Sequence, residues 1–541
     1  MPLIRRITTL GAGLLAGAVA TLMMILLMVA GRYWLGISPP PEAIPDRFAP
    51  TLDIETFFDL FERYGGYNGL KKFGIRSGIT GLAATGLLVG IIYAAVVERH
   101  RPRSASGWRR GVSRHGLIFV VATALVLWFA SLIVLWPVLD ANYRGLPPTW
   151  ARPVTAFALL VYYAVGYGVT LVATYRFLVR PLKVDAEEAP AARFAGEPVA
   201  RRAVLAGAAG VALALPSYRL LRTLYDDATF SYDGRPYSGP GVQPITPNDQ
   251  FYSVTKNVVD PNVTKTFWRL EVDGLVDDAK RYSFDDLAAM EATTQETTLM
   301  CISNRIGAGL FSNAVWQGVP MRELLLAAGI KEGAVEVLLH AADGYTDTFA
   351  IEKALDPTTL VAYRMNDEPL PERHGYPVRV IVPGLYGEKN VKWVTRIEVV
   401  DHDAMGFYEQ QGWGPDFSVP TRSDIFSPRW VRRGNDRFTE PWRMGRSVTL
   451  RGRAFGGSRG VATVEVSIDG EQTWQPARID YPGTELTWTF WSHTWTPRTS
   501  GEVVVTSRAT DRTGEPQPTE TVGTIPQGAR GYHRVIGTVE A

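Results

Sequence analysis

A single cysteine, Cys301, ends the β-type run Thr297-Thr298-Leu299-Met300 and is followed at once by Ile302-Ser303-Asn304-Arg305-Ile306-Gly307-Ala308-Gly309. The thiol is therefore expected where a strand opens into a glycine-containing loop. A lone cysteine is more often a small buried hydrophobe. The alternative is a thiolate ligand, which Arg305 favours because a nearby cation stabilises the form that binds soft metals. A second cluster runs His374-Gly375-Tyr376-Pro377-Val378-Arg379 and continues as Pro383-Gly384-Leu385-Tyr386-Gly387-Glu388-Lys389-Asn390-Val391-Lys392-Trp393. A His, an Arg and two Lys beside a Gly-rich turn can cradle a phosphate, since backbone N–H groups and a planar guanidinium both suit phosphate oxygens. A surface turn with solvated charges fits that short pattern equally well.

Composition bounds what these residues can do. One Cys in 541 residues excludes an internal disulfide, a CxxCH haem-attachment site and any iron–sulfur cluster held by several cysteines of this chain. The length predicts about three or more units at roughly 100 to 200 residues each. Lys plus Arg is 56 against Asp plus Glu 54, a formal charge of +2, too small a basic excess to point to nucleic acid.

The long apolar runs lie almost entirely before residue 216. Four of them, 7 to 30, 75 to 97, 115 to 138 and 153 to 179, meet the requirement of about 20 residues per membrane crossing. A fifth, 203 to 215, is shorter. Arg99, Arg101, Arg103, Arg109, Arg110 and Arg114 crowd one short loop, and Lys183, Arg193, Arg201 and Arg202 the next. The positive-inside rule makes both loops cytoplasmic and, with a fifth crossing, puts everything after 216 on the outer side of the cytoplasmic membrane. Ala200-Arg201-Arg202-Ala203-Val204-Leu205 resembles an internal twin-arginine export signal, against the plainer reading of a buried core helix. Its Ala212-Leu213-Ala214 also fits a cleavage site. The only histidines in this half, His100 and His115, flank the arginine-rich loop rather than lying within the spans, so the half reads as an anchor without haem ligands.

Residues 217–247 carry Pro and Gly turns and read as a linker. From 248 to 435, strand-like runs such as Trp268-Arg269-Leu270-Glu271-Val272 alternate with helical ones, including a capping box at Ser283-Phe284-Asp285-Asp286, in an order that predicts α+β. From 436 to 541 the helical period disappears and short alternating runs recur, with Asp469-Gly470 as a two-residue hairpin signal. That segment reads as an all-β, immunoglobulin-like sandwich without its disulfide.

The run from Thr298 to Gly329, the run from Tyr363-Arg364-Met365-Asn366-Asp367-Glu368-Pro369-Leu370-Pro371 through Lys392-Trp393, and the C-terminal β segment together resemble the sulfite oxidase family of molybdopterin enzymes. With the apolar half they resemble its bacterial membrane-anchored type. The resemblance implies that Cys301 is the protein thiolate on molybdenum, beside two sulfurs from the pterin. It implies that His374, Arg379, Asn390, Val391 and Lys392 hold the pterin and its phosphate, that Phe251 and Tyr252 line it, and that Asp343 is a further contact. Twin-arginine export suits a cofactor inserted before export, and the β segment is implied to mediate a homodimer. The sequence departs from the sulfite oxidases at Val254 and Ile306, where those enzymes carry arginines, and at Trp413, where they carry a tyrosine. Arg305, Trp316, Lys256 and Arg459 are available to compensate in part. Desolvating a dianion without paired guanidinium groups is costly, which argues against sulfite as the substrate.

The function expected is oxygen-atom transfer to or from a small substrate by a molybdenum–molybdopterin oxidoreductase, with Cys301, Arg305 and Trp413 as catalytic residues. No haem or iron–sulfur cluster is expected in this chain, so electrons go to a separate cytochrome or quinone. The alternatives are a sulfoxide or N-oxide reductase on the same site, which the apolar departures suit, and a cofactor-free binding protein that uses its β-sandwich.

Overall fold

The apolar stretches of the first 226 residues are helical, which satisfies their backbone N–H and C=O groups within the chain. The structure, a computed structural model, describes residues 2–64, 67–100, 113–179, 198–226, 242–256, 260–433 and 436–541. It divides into a helical unit formed mainly by the N-terminal half and a second unit holding most of the rest.

Five helices of the first unit are long and apolar enough to cross a membrane: Thr9–Leu35, Lys72–Arg99, Arg114–Val138, Pro148–Val179 and Arg201–Thr223. The first four fall where hydropathy places them. The fifth departs from expectation, since its helix runs Pro198–Asp226 with Pro216 inside it. Helix thus replaces the first ten residues of the expected linker, because Leu220, Leu221 and Leu224 prolong the apolar period past the arginines. The rest of that linker through 241, and the loop arginines Arg101, Arg103, Arg109, Arg110 and Arg193 with Lys183, lie outside the described residues. Arg201 and Arg202 sit in the first turns of the fifth helix.

Glycines set the closest packing in this unit. A Cβ on Gly17 would lie 2.7 Å from the Gly86 carbonyl oxygen, and one on Gly90 would lie 2.7 Å from the Gly17 Cα. Two small-xxx-small stretches, Gly13 with Gly17 and Gly86 with Gly90, thus let the first two helices touch backbone to backbone. A π-helical stretch, Tyr162–Val169, interrupts the fourth of these helices and buries Tyr162, Tyr163 and Tyr167. His100 and His115 stack on each other with ring centroids 4.0 Å apart.

The second unit begins as the α+β domain that the alternation predicts. One sheet orders Lys280–Tyr282, Leu270–Gly274, Val394–Val400, Glu336–Ala341 and Thr346–Ala350, with a parallel pair between Leu270–Gly274 and Val394–Val400. A second sheet joins Thr293–Met300, Phe311–Pro320, Leu360–Met365 and Glu368–Pro369, with Arg379–Ile381 also paired to Leu360–Met365. Ser283 caps the short helix Phe284–Ala288 in a capping box with Asp286, as its spacing foretells. Trp268, Leu324, Val337, Leu339, Val380, Trp393 and Ile397 form the main core.

The C-terminal region is all β, in a four-stranded and a seven-stranded sheet. Ile425, Leu450, Val464, Trp491, Val505 and Val535, drawn from both sheets, share one core. Two expectations shift here. The strand Arg422–Ser427 pairs with Val448–Phe455, so the β region starts before residue 436. Asp469-Gly470 does not make a two-residue hairpin: Val461–Ser467 pairs with Gln475–Pro476, leaving a longer turn. The Asp469 carboxylate accepts the Gln472 and Thr473 N–H groups at 3.0 Å each, and Ser467 Oγ accepts Glu471 N–H at 2.8 Å, which organises the wider turn.

His533 in this region makes a pH prediction. It is fully buried, and its Nδ1 accepts the Ile425 N–H at 2.8 Å. Burial pulls the imidazole down from 6.5 to about 3, with neighbouring arginines opposing and Asp424 favouring its charge. Between those values the unfolded chain binds the proton and the folded chain does not, so stability present above pH 6.5 is lost as pH falls towards 3. The His533→Asn variant, whose amide oxygen can accept the same N–H, is expected to flatten this acid slope by up to about 1.4 kcal/mol per pH unit. Denaturant melts at stepped pH would show it, and identical slopes for both proteins would refute it.

Candidate active site

Cys301 stands at the end of the strand Thr293–Met300, whose partner Phe311–Pro320 returns from the loop between them. The strand pair fixes the thiol because the Cys301 N–H donates to the Leu310 carbonyl at 3.0 Å and the Cys301 carbonyl accepts the Asn304 N–H at 2.9 Å. Asn304 Oδ1 accepts the Leu310 N–H at 2.9 Å and ties the loop ends together. Cys301 is buried in an apolar cluster with Phe251, Tyr252, Leu299, Leu310, Trp316 and Ile381, and its Sγ lies 3.1 Å from Ser303 Oγ. Burial pushes the thiol up to about 11, and the Glu388 carboxyl adds to the shift. Without a bound cation this sulfur is a neutral thiol at pH 7.

An aromatic wall leads from the thiol to the second cluster. Phe251 stacks on Tyr252 at 5.5 Å and meets Trp316 and His374 edge to face at 5.6 and 5.5 Å. The loop at Gly387 passes under this wall: a Cβ there would lie 2.3 Å from the Tyr252 hydroxyl and 3.3 Å from the Met300 carbonyl oxygen. Only glycine fits at that approach.

His374 donates from Nε2 to the Asn248 carbonyl at 2.8 Å, which leaves Nδ1 as an acceptor, and burial lowers the ring to about 3. Arg379 is buried beneath Trp316, its guanidinium carbon 5.0 Å from a ring centroid. It donates to the carbonyls of His374 at 3.1 Å and Asn390 at 2.9 Å, and its Nε has no hydrogen-bond partner among the described residues. No carboxylate there pairs with it, and burial lowers it from 12.5 to about 10, so it stays charged at neutral pH. Lys392 donates to the Arg373 carbonyl at 3.2 Å and to Ser253 Oγ at 3.4 Å.

The structure sorts the other expected residues. Both amide groups of Asn390 are engaged, Oδ1 by Val382 N–H at 2.7 Å and Nδ2 by the Tyr386 carbonyl at 3.0 Å, and the Val391 side chain lies in the main core. Their backbone is largely engaged as well: the Asn390 N–H donates to the Gly387 carbonyl at 3.2 Å, and the Val391 carbonyl accepts the Val380 N–H at 2.8 Å. Asp343 is buried in the turn after Glu336–Ala341 and accepts the Tyr345 N–H at 3.0 Å. Trp413 is buried against Tyr408, with ring centroids 6.4 Å apart. The Arg305 side chain is exposed.

Lys389, whose charge looks suited to a phosphate in the sequence, is spent elsewhere. It is buried, pairs with Asp347 at 2.7 Å and Glu409 at 3.2 Å, and covers the Phe417 ring. Glu388 carries a signal the sequence reading passed over. Both of its carboxyl oxygens are sealed from solvent, and no side chain among the described residues donates a hydrogen bond to them. Burial, reinforced by Asp347, raises it to about 8. Its place inside an otherwise cationic motif was the available clue.

The residues present fit a molybdopterin group. They offer one sheltered soft ligand, a charged guanidinium with no acidic partner, a neutral imidazole with a free acceptor nitrogen, and an aromatic wall between them. Comparisons with known proteins agree. Residues 257–408 match the oxidoreductase molybdopterin binding domain, and residues 428–538 match the Mo-co oxidoreductase dimerisation domain. These two domains define a molybdopterin-dependent oxidoreductase. The chain is a molybdopterin oxidoreductase of the sulfite oxidase and nitrate reductase type, and the cofactor of that type is molybdenum–molybdopterin.

The chain is 30% identical over 326 residues to a nitrate reductase [NADH] of Solanum lycopersicum, covering 49% of this chain and 35% of that one. It is 30% identical over 322 residues to the mitochondrial sulfite oxidase of Drosophila melanogaster, covering 50% of this chain and 55% of that one. The chain thus spans between about a third and about half of the length of these relatives. Among solved structures, the sulfane dehydrogenase SoxCD of Paracoccus pantotrophus aligns at 25% identity with a TM-score of 0.46, over 55% of this chain and 84% of that one.

Proposed function

We propose that the protein is a membrane-anchored molybdopterin oxidoreductase that moves an oxygen atom to or from a small substrate on the outer side of the cytoplasmic membrane. The observation that carries this reading is the buried Arg379 guanidinium with no carboxylate partner, one aromatic ring away from the buried Cys301 pocket. A cation so placed costs folding energy unless an anion arrives to meet it.

Cys301 would ligate the metal; His374, Arg379, Lys392 and the Asn390 and Val391 backbone would hold the pterin and its phosphate, with Phe251 and Tyr252 against the ring and Asp343 nearby. The bound group supplies two-electron oxygen-atom chemistry, and the protein positions and tunes it. In the oxidising direction the balance is X + H2O → XO + 2H⁺ + 2e⁻, with the electrons passing to a separate cytochrome or quinone. Arg305 and Trp413 would meet the substrate. The five apolar helices would anchor the chain, with the fifth acting as the twin-arginine signal. The C-terminal sheets would form an immunoglobulin-like sandwich that mediates a homodimer.

A second direction, reduction of sulfoxide- or N-oxide-type substrates, is favoured by Val254, which packs against the apolar cluster holding Cys301 where the sulfite oxidases place an arginine. The expected result for full-length protein from a host that makes the cofactor is near one molybdenum and one pterin per chain. Plasma mass spectrometry and pterin fluorescence measure both, and well-folded protein with neither would leave the binding-protein reading. Reporter fusions on either side of the fifth helix test the sidedness.

A further inference from the structure

Four consecutive residues of the loop that begins at Cys301 are held by side chains of the C-terminal β region. The Arg305 carbonyl accepts from Arg422 at 3.4 Å, the Ile306 carbonyl from Arg437 at 2.7 Å, and the Ala308 carbonyl from Arg453 at 2.8 Å. Between them, the Gly307 N–H donates to Asp424 at 3.0 Å. Arg422 also reaches Met300 Sδ, next to the cysteine, at 3.2 Å.

These side chains come from three strands, Arg422–Ser427, Asp436–Thr439 and Val448–Phe455. Asp424 centres the group: it is buried and pairs with Arg422 at 3.0 Å. Arg453 is buried and held over Phe311 at 4.5 Å. His533 packs on Gly307 so closely that a Cβ there would fall 2.4 Å from its Nε2, and Gly307 has a φ of +74° that favours glycine.

Such a network is more than the loop needs to stay folded. The loop already closes on itself through Cys301, Asn304 and Leu310, and the residues gripped from outside are the ones that fix where the 305–308 backbone lies relative to the thiol. Buried charge-assisted hydrogen bonds hold geometry more tightly than neutral ones.

We propose that Asp424, with Arg422, Arg437 and Arg453, is a positioning clamp through which the C-terminal β region sets the placement of the Cys301 loop, a role separate from any in dimerisation. The clamp rests on the reading that Cys301 meets the cofactor only for its consequence at the metal. Its effect on the loop can be measured without cofactor.

The test uses the full chain with Asp424→Asn, which keeps an acceptor for Gly307 but removes the charge that organises the arginines, and with Arg437→Gln, which removes the grip on Ile306 together with the guanidinium stacked over Trp430 at a half-buried edge. Hydrogen exchange is followed in peptides covering 302–310, in cofactor-free and in loaded protein, beside light scattering. Asp424→Asn is expected to speed exchange in 302–310 by about tenfold or more, with a smaller change in the same direction for Arg437→Gln and an unchanged dimer. In loaded protein both variants shift the Mo(V) paramagnetic resonance signal while molybdenum and pterin contents stay at the wild-type level.

Unchanged exchange in 302–310 for both variants overturns the proposal. So does faster exchange spread evenly over the β region, which is the mark of general destabilisation. If Asp424→Asn does not fold, Arg437→Gln decides by the same criteria. Wild-type protein that takes up no molybdenum would instead count against the cofactor reading and leave the exchange result standing.

Discussion

Serine at position 301 is expected to lower turnover by on the order of a thousandfold or more while leaving the pterin in place. The two halves of that result have different origins. The thiol lies in an apolar cluster and is neutral in the cofactor-free chain, because burial first and Glu388 second raise it to about 11. Ligation must therefore displace a proton, and the gain comes from a soft sulfur–metal bond that a hydroxyl does not match. On the proposed assignment, retention of the pterin would rest instead on Arg379, His374 and Lys392, none of which touches residue 301 through a hydrogen bond described above. The substitution is nearly isosteric, so the melting temperature should move little. Turnover, Mo(V) resonance and pterin content measured on one preparation separate the cases. Turnover at the wild-type level, or pterin lost together with activity, would sink the assignment.

The parts of the fold read correctly from sequence were those set by local rules. The capping box at Ser283 and Asp286 is a three-residue pattern, and the strand ending at Met300 is fixed by β-type side chains and the glycines that follow. Hydropathy located four long apolar helices because a run of about 20 apolar residues leaves few alternatives. It undersized the fifth, where polar flanks conceal helical continuation to Asp226. What sequence could not show was adjacency: Phe251 against His374, or Arg422 against the Arg305 carbonyl, joins residues more than a hundred positions apart. The resemblance supplied the first of these, since family motifs carry spatial information that a single chain does not. Nothing supplied the second. Arg422, Asp424 and Arg453 sit on alternating strands, where charged residues ordinarily mark the solvent face, and only the structure shows them turned inward to the cysteine loop. Lys389 and Lys392, three residues apart in one motif, also parted company, the first into an ion pair with Asp347 and the second towards Ser253 and the Arg373 carbonyl.

Methionine in place of Arg379 should separate folding from cofactor retention. In the wild type the guanidinium is charged and buried, lowered to about 10 by desolvation, and satisfied only by the His374 and Asn390 carbonyls with Nε left over. Removing it forfeits two hydrogen bonds of about 1 kcal/mol each and relieves an unpaired buried charge, so the cofactor-free protein should change in stability by less than about 2 kcal/mol. A phosphate loses more. Two charge-assisted bonds of about 1.5 kcal/mol each make about 3 kcal/mol, or roughly a hundredfold in retention. Arg379→Lys keeps the charge without the planar fork and should fall between the two. Arg305→Ala, by contrast, alters an exposed side chain and should keep the pterin while changing KM. Pterin release followed by fluorescence, beside thermal melts of the cofactor-free proteins, gives both quantities. Wild-type retention in Arg379→Met would mean that the cation serves the fold alone; unfolding of both Arg379 variants would mean that its carbonyl contacts outweigh the desolvation cost. Weak retention in a stable protein is the outcome that ties this buried charge to an anionic ligand.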